Sequence, residues 1–119
     1  MTTTNANPNE VFSELRAILE PYASRLVVTA DNPNGYSLDT QYIMPNKQPL
    51  FFGAVKVQKN YVSFYLMPVY ACPELLEGIS DSLRKRMQGK SCFNFKHIDR
   101  ELFRELTDLT RAGFERYRT

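Results

Sequence analysis

With 119 residues, 43% of them hydrophobic and 13% aromatic, the chain holds enough apolar surface for one core, which excludes both two ordinary domains and disorder throughout. Its 15 Lys/Arg against 13 Asp/Glu give a formal charge of +2 and a pI near 8.6, too mild an excess for the electrostatic footprint of a nucleic-acid-binding domain. Lys56 and Lys59 interrupt the greasiest stretch, Leu50 to Val69, short of the roughly 20 apolar residues of a membrane span, and Met1 to Asn9 lacks the charged and apolar parts of a secretory signal, so a cytoplasmic protein without a membrane partner is expected.

A flexible N-terminus over residues 1–8 should precede a single domain over residues 9–119. Asn7, Pro8 and Glu10 have the order of an N-cap, a first helical proline and an acidic first turn. Val11, Leu15, Ile18, Leu19 and Tyr22 then recur at helical spacing, and Pro21 should end or kink that helix near Leu19 or Glu20. Leu26 to Ala30 and Tyr36 to Ile43 read as strands joined through Asp-Asn-Pro-Asn-Gly at 31–35. In the second strand Tyr36, Leu38, Thr40 and Tyr42 alternate with Ser37, Asp39 and Gln41, which predicts one covered and one wet face.

After a proline-bounded connection, Leu50 to Val57 and Tyr61 to Met67 are the greasiest runs and should form the central hairpin, with Gln58 to Asn60 as its turn. Pro73 to Ile79 and Ser80 to Gln88 are predicted as short helices, the second capped by Ser80 and ended by Gly89. A brief strand, Ser91 to Phe95, leads to a final helix capped by Asp99, with Ile98 stapled onto Phe103. Leu102, Phe103, Leu106, Leu109, Phe114 and Tyr117 give that helix a wide apolar stripe. The expected architecture is α+β: an antiparallel sheet of about five strands with the N- and C-terminal helices packed on it.

Two cysteines, Cys72 and Cys92, and one histidine, His97, match no zinc spacing, and a reducing compartment would keep both thiols free. No metal, cofactor or catalytic constellation is therefore assigned. Charge is uneven along the chain: residues 84–119 carry ten Lys/Arg against five Asp/Glu, and residues 1–83 carry five against eight. Within the last helix Glu101, Asp108 and Glu115 stand three residues before Arg104, Arg111 and Arg118, a spacing that predicts ion pairs. Arg84, Lys85, Arg86, Lys90 and Lys96 have no such company and could meet an anion.

Met44-Pro45, the run Lys59 to Tyr65 and the run Gly89 to Phe95 together resemble the YdhG-like family of bacterial domains of unknown function. The resemblance covers most of Leu26 to Tyr117. It implies a frataxin-like fold, and one branch of the family is regarded as a frataxin-like iron chaperone. Ile43 stands where the family has glycine before Met-Pro, and Tyr61 where its strand motif has histidine, so no role of that histidine carries over. The acidic residues that an iron-binding ridge would draw on are Glu10, Glu14, Glu20, Asp31 and Asp39, too few and dispersed for a hard-cation surface.

The aromatic series Tyr36, Tyr42, Phe51, Phe52, Tyr61, Phe64, Tyr65 and Tyr70 is expected to fill the core and pair across strands, its tyrosines being the better pocket candidates. Gly89-Lys90-Ser91 is like the tail of a phosphate loop, but the upstream glycine is replaced by Arg84 and the helix precedes rather than follows. The reading that follows is a non-enzymatic module binding a small molecule or protein, as monomer or homodimer, with nucleic acid disfavoured; the alternative is an iron chaperone. Its site should lie between the sheet and the segment from Pro73 to Gln88, with Tyr36, Lys56, Tyr65, Lys90 and His97 as binding residues.

Overall fold

Pro8 opens the first helix, α1 (Pro8–Leu19), where its fixed φ suits the helix start and its missing N–H costs nothing. The structure, a computed structural model, describes residues 8–118; the expected Asn7 cap and all of the N-terminal stretch except Pro8 lie outside them. Val11, Phe12, Leu15, Ile18 and Leu19 form the buried stripe of α1. The α-helix ends at Leu19, as Pro21 predicts, and the chain continues as a 3₁₀ turn over Glu20–Arg25.

Five strands follow: β1 (Val27–Asn32), β2 (Gly35–Ile43), β3 (Pro49–Val57), β4 (Val62–Leu66) and β5 (Cys92–Phe95). They lie side by side in sequence order, each antiparallel to the next. This is the α+β architecture that the hydrophobic pattern predicts. Among the described residues no helix is long and apolar enough to cross a membrane.

The alternation expected along β2 breaks at a bulge. Leu38 pairs with Gly53 but Asp39 pairs with Phe51, so Phe52 is the extra residue. Tyr36 and Leu38 are accordingly buried, while Tyr42 is 58% exposed beyond the slip. The bulge turns Phe52 toward the helices, where its ring meets Tyr22, Phe114 and Tyr117 with centroids 5.9 to 6.0 Å apart.

The stretch after β4 is less helical than its sequence suggests. Only α2 (Met67–Ala71), a 3₁₀ turn at Pro73–Leu76 and α3 (Asp81–Arg84) form. Ser80 caps α3 as expected, its Oγ accepting from the Leu83 N–H at 3.1 Å. The predicted continuation to Gln88 fails because the backbone of residues 86–88 finds better partners on β5: Asn94 N–H donates to the Arg86 carbonyl at 2.8 Å and Gln88 N–H to the Cys92 carbonyl at 2.9 Å. Gly89, at φ 83°, serves that reversal rather than a helix end.

Asp99 caps the last helix, α4 (Arg100–Arg118), through a 3.1 Å bond from the Leu102 N–H to its carboxylate. Ile98 is half-buried against the core, and Phe103 meets Phe95 edge-on at 5.0 Å. Helices α1 and α4 cover one sheet face, where Leu15, Leu19, Val55, Phe64, Phe93 and Leu106 are fully buried.

Two residues of α4 test this packing. A Cβ at Gly113 would stand 2.8 Å from Pro68 Cβ, so Gly113→Ala should lower stability by about 1–3 kcal/mol in urea unfolding. Helix propensity alone predicts a gain of about 1 kcal/mol, the opposite sign. Thr110 is 0% exposed and its hydroxyl lacks a partner among the described residues, so Thr110→Val should raise the urea midpoint, by about 1 kcal/mol in free energy.

Candidate functional site

The sheet has a second face. The strand pairings carry Ser37, Ala54, Tyr65 and Cys92 across it in one row and Lys56, Ser63 and Asn94 in the next. Because side chains alternate along a strand, these point away from α1 and α4. Lys56 Nζ sits 5.7 Å from the Tyr65 ring centroid, a cation–π contact at the surface.

Asn94 organises this face. Ser63 Oγ donates to Asn94 Oδ1 at 2.7 Å and Cys92 Sγ donates to the same oxygen at 3.4 Å, while Asn94 Nδ2 donates to Gln88 Oε1 at 2.6 Å. Burial raises the pKa of the Cys92 thiol. Burial also raises that of the Tyr65 hydroxyl, with the neighbouring Cys92 adding to it. Both groups are thereby held in their neutral forms, which suits structural hydrogen bonding rather than nucleophilic attack.

The five residues singled out in the sequence fall in four places. Tyr36 is 4% exposed on the helix-covered face, with the Arg16 guanidinium 4.5 Å from its ring centroid. Lys56 and Tyr65 are together on the open face. Lys90 lies at the turn after Gln88, 5.9 Å from the ring of the exposed Tyr70. His97 lines a hollow of about 300 Å³ beside Lys85, Arg86, Lys96 and Asp99.

Lys90 marks the largest of the described concavities, about 710 Å³, between α2, the 3₁₀ turn and residues 84–90. Val69, Pro73, Leu76 and Met87 supply an apolar wall, and Tyr70, Arg84 and Lys90 supply polar groups. Arg84 is aimed by its own bond, Nη2 donating to the Leu76 carbonyl at 2.7 Å. Tyr70, Arg84 and Met87 were missing from the sequence-derived site. Arg84 was visible as part of the basic segment, but its place beside Leu76 depends on the turn at Pro73–Leu76.

No carboxylate lines this cavity, and several carboxylates are held in ion pairs. Arg16 holds both Glu20 and Asp31 at 2.9 Å, Arg100 holds Glu14 at 3.3 Å and Arg116 holds Glu74 at 2.6 Å. Of the predicted pairs within α4, Asp108 and Arg111 meet at 3.3 Å, whereas Glu101 and Arg104 form no ion pair; the Glu115–Arg118 pair rests on a side chain outside those described. Among the described residues no three His, Cys, Asp or Glu side chains gather closely enough to hold a metal ion. The chain matches no family model, curated protein or solved structure at a significant level.

Asp39 stands on β2 opposite Phe51, and burial holds its pKa above the usual value of 3.8. The ionised form is thus disfavoured in the folded state: its cost is present at neutral pH and fades as pH falls through the raised pKa, vanishing below the unfolded value. Asp39→Asn should therefore melt slightly higher than the parent at pH 7, and the two melting temperatures should converge as pH approaches about 4.

Proposed function

We propose that this chain is a non-enzymatic binding module for a small organic anion with an apolar body, held in the cavity of Val69, Tyr70, Leu76, Arg84, Met87 and Lys90. The observation that carries the reading is the composition of the wall: aliphatic side chains close to two cations, with no carboxylate lining the same cavity. Sites of this kind bury the body of a ligand on apolar surface and orient it through a few polar groups. Arg84 would grip a carboxylate or phosphate with the N–H groups not used on Leu76, and Lys90 would add a point charge above Tyr70. The raised pKa of the Cys92 thiol and the separation of His97 from this cavity favour binding over nucleophilic catalysis.

The five-stranded meander between terminal helices supports reading the chain as a relative of the YdhG-like domains. The iron-chaperone alternative calls for unpaired carboxylates near α1, where Glu14, Glu20 and Asp31 are instead matched with arginines. That distribution favours the organic anion.

A thermal-shift titration with octanoate and indole-acetate, set against the neutral alcohols of the same bodies, should show stabilisation by the acids only. Arg84→Ala or Lys90→Ala should each weaken that binding by roughly tenfold or more, the loss expected for a charge-assisted contact. Equal stabilisation by acids and alcohols, or saturable anaerobic binding of ferrous iron in place of either, would count against the assignment.

A further inference from the structure

The open sheet face adjoins a second concavity, of about 370 Å³, whose contents differ from the first. Tyr61 forms part of its wall, Gln88 and Asn94 contribute amides, and Lys85, Arg86 and Lys96 contribute three cations. No carboxylate lines it, and among the described residues none of the three cations is within ion-pair distance of one. The same three also wall the neighbouring hollow that contains His97, where Asp99 is present but spends its carboxylate on the Leu102 N–H rather than on an ion pair with them. Three cations around one concavity favour an anion of more than one charge, and phosphate esters are the common biological case.

The amides add a second specification. Asn94 spends Oδ1 on Ser63 and Cys92 and directs Nδ2 to Gln88 Oε1. This engages Gln88 through its Oε1 and leaves the two Nε2 donors of a cavity-lining amide without a hydrogen bond among the described residues. Tyr61, half-buried just before β4, adds a flat ring. A ring to stack on, an amide donor to meet a heterocycle edge, and clustered cations for phosphate are the three elements by which proteins hold nucleotide units outside a duplex.

We infer that this concavity is a nucleotide site: base on Tyr61, base acceptor on Gln88, phosphate on Lys85, Arg86 and Lys96. The whole-chain charge argued against nucleic acid because the paired carboxylates of α1 and β1 dilute a local excess that the fold gathers at β5. The ligand is a free nucleotide or one unit of a single strand, which share this chemistry. The site is distinct from the Arg84–Lys90 cavity and does not rest on the function proposed there.

Isothermal titration of the full chain with a panel of ribonucleoside monophosphates, with inorganic phosphate, with the parent nucleosides and with a short single-stranded oligonucleotide tests it. The expected result is saturable binding of at least one monophosphate, tighter than its nucleoside or inorganic phosphate alone. The Arg86→Ala/Lys96→Ala double variant, both side chains being exposed, should keep the parent circular dichroism and lose about tenfold or more in affinity. Tyr61→Leu should weaken the monophosphate and leave inorganic phosphate unchanged. An oligonucleotide that binds more tightly and falls steeply with salt identifies the strand as the source; equal affinity identifies the free nucleotide. Inorganic phosphate binding as tightly as every monophosphate overturns the inference, as does unchanged affinity in the folded double variant or no saturable binding of any nucleotide at millimolar concentration.

Discussion

The seating of α1 against Gly53 is the constraint on which the rest of the molecule depends. A Cβ there would stand 2.9 Å from the Tyr65 carbonyl oxygen of β4 and 3.3 Å from Leu19 Cδ2 of α1, so glycine keeps the strand pairing intact while leaving Leu19 its seat over the centre of the sheet. The neighbouring bulge turns Phe52 to the same side, where it joins Tyr22, Phe114 and Tyr117 and ties both terminal helices to β3. With α1 and α4 committed to one face, the opposite face of β3, β4 and β5 is left to polar side chains.

That division of labour also segregates charge. Arg16, Arg100 and Arg116 are consumed by Glu20, Asp31, Glu14 and Glu74, which lie on α1, on the strand and turns near it, or beside α4. Arg84, Lys85, Arg86, Lys90 and Lys96 sit instead around a ribbon that extends the sheet beyond β5. The ribbon has two sides, one facing the aliphatic wall built by α2 and the 3₁₀ turn, the other facing the polar surface around Asn94. Each side meets the cations in a different chemical setting, which is why two concavities of different character share so short a segment.

The ribbon also bears on the edges of the sheet. Residues 86–88 pair with β5 and remove part of that edge from solvent, whereas β1 keeps its outer edge, with Val27 and Val28 each 43% exposed. The bulge between Val28 and Ala30 distorts that edge and the Asp31–Arg16 pair places charge on it, two features that discourage strand addition.

Local pattern carried a large part of the fold. The helical spacing from Val11 to Leu19, the two greasy runs around Gln58–Asn60, Ser80 and Asp99 as caps, and the stripe from Leu102 to Phe114 all correspond to observed elements, because each is set by periodicity or by a hydrogen bond within a few residues. Lys90 and the basic segment were legible as candidates, and Asn94 could have been placed opposite Phe93 and Phe95 by strand alternation alone. The end of α3 and the union of Ser63, Asn94 and Gln88 were not legible, since each depends on strands distant in sequence. By itself, then, the sequence determined the elements and the architecture through local spacing, while tertiary pairing decided which face each polar residue serves and which cations stand without carboxylates, because register and bulges choose the neighbours across a sheet.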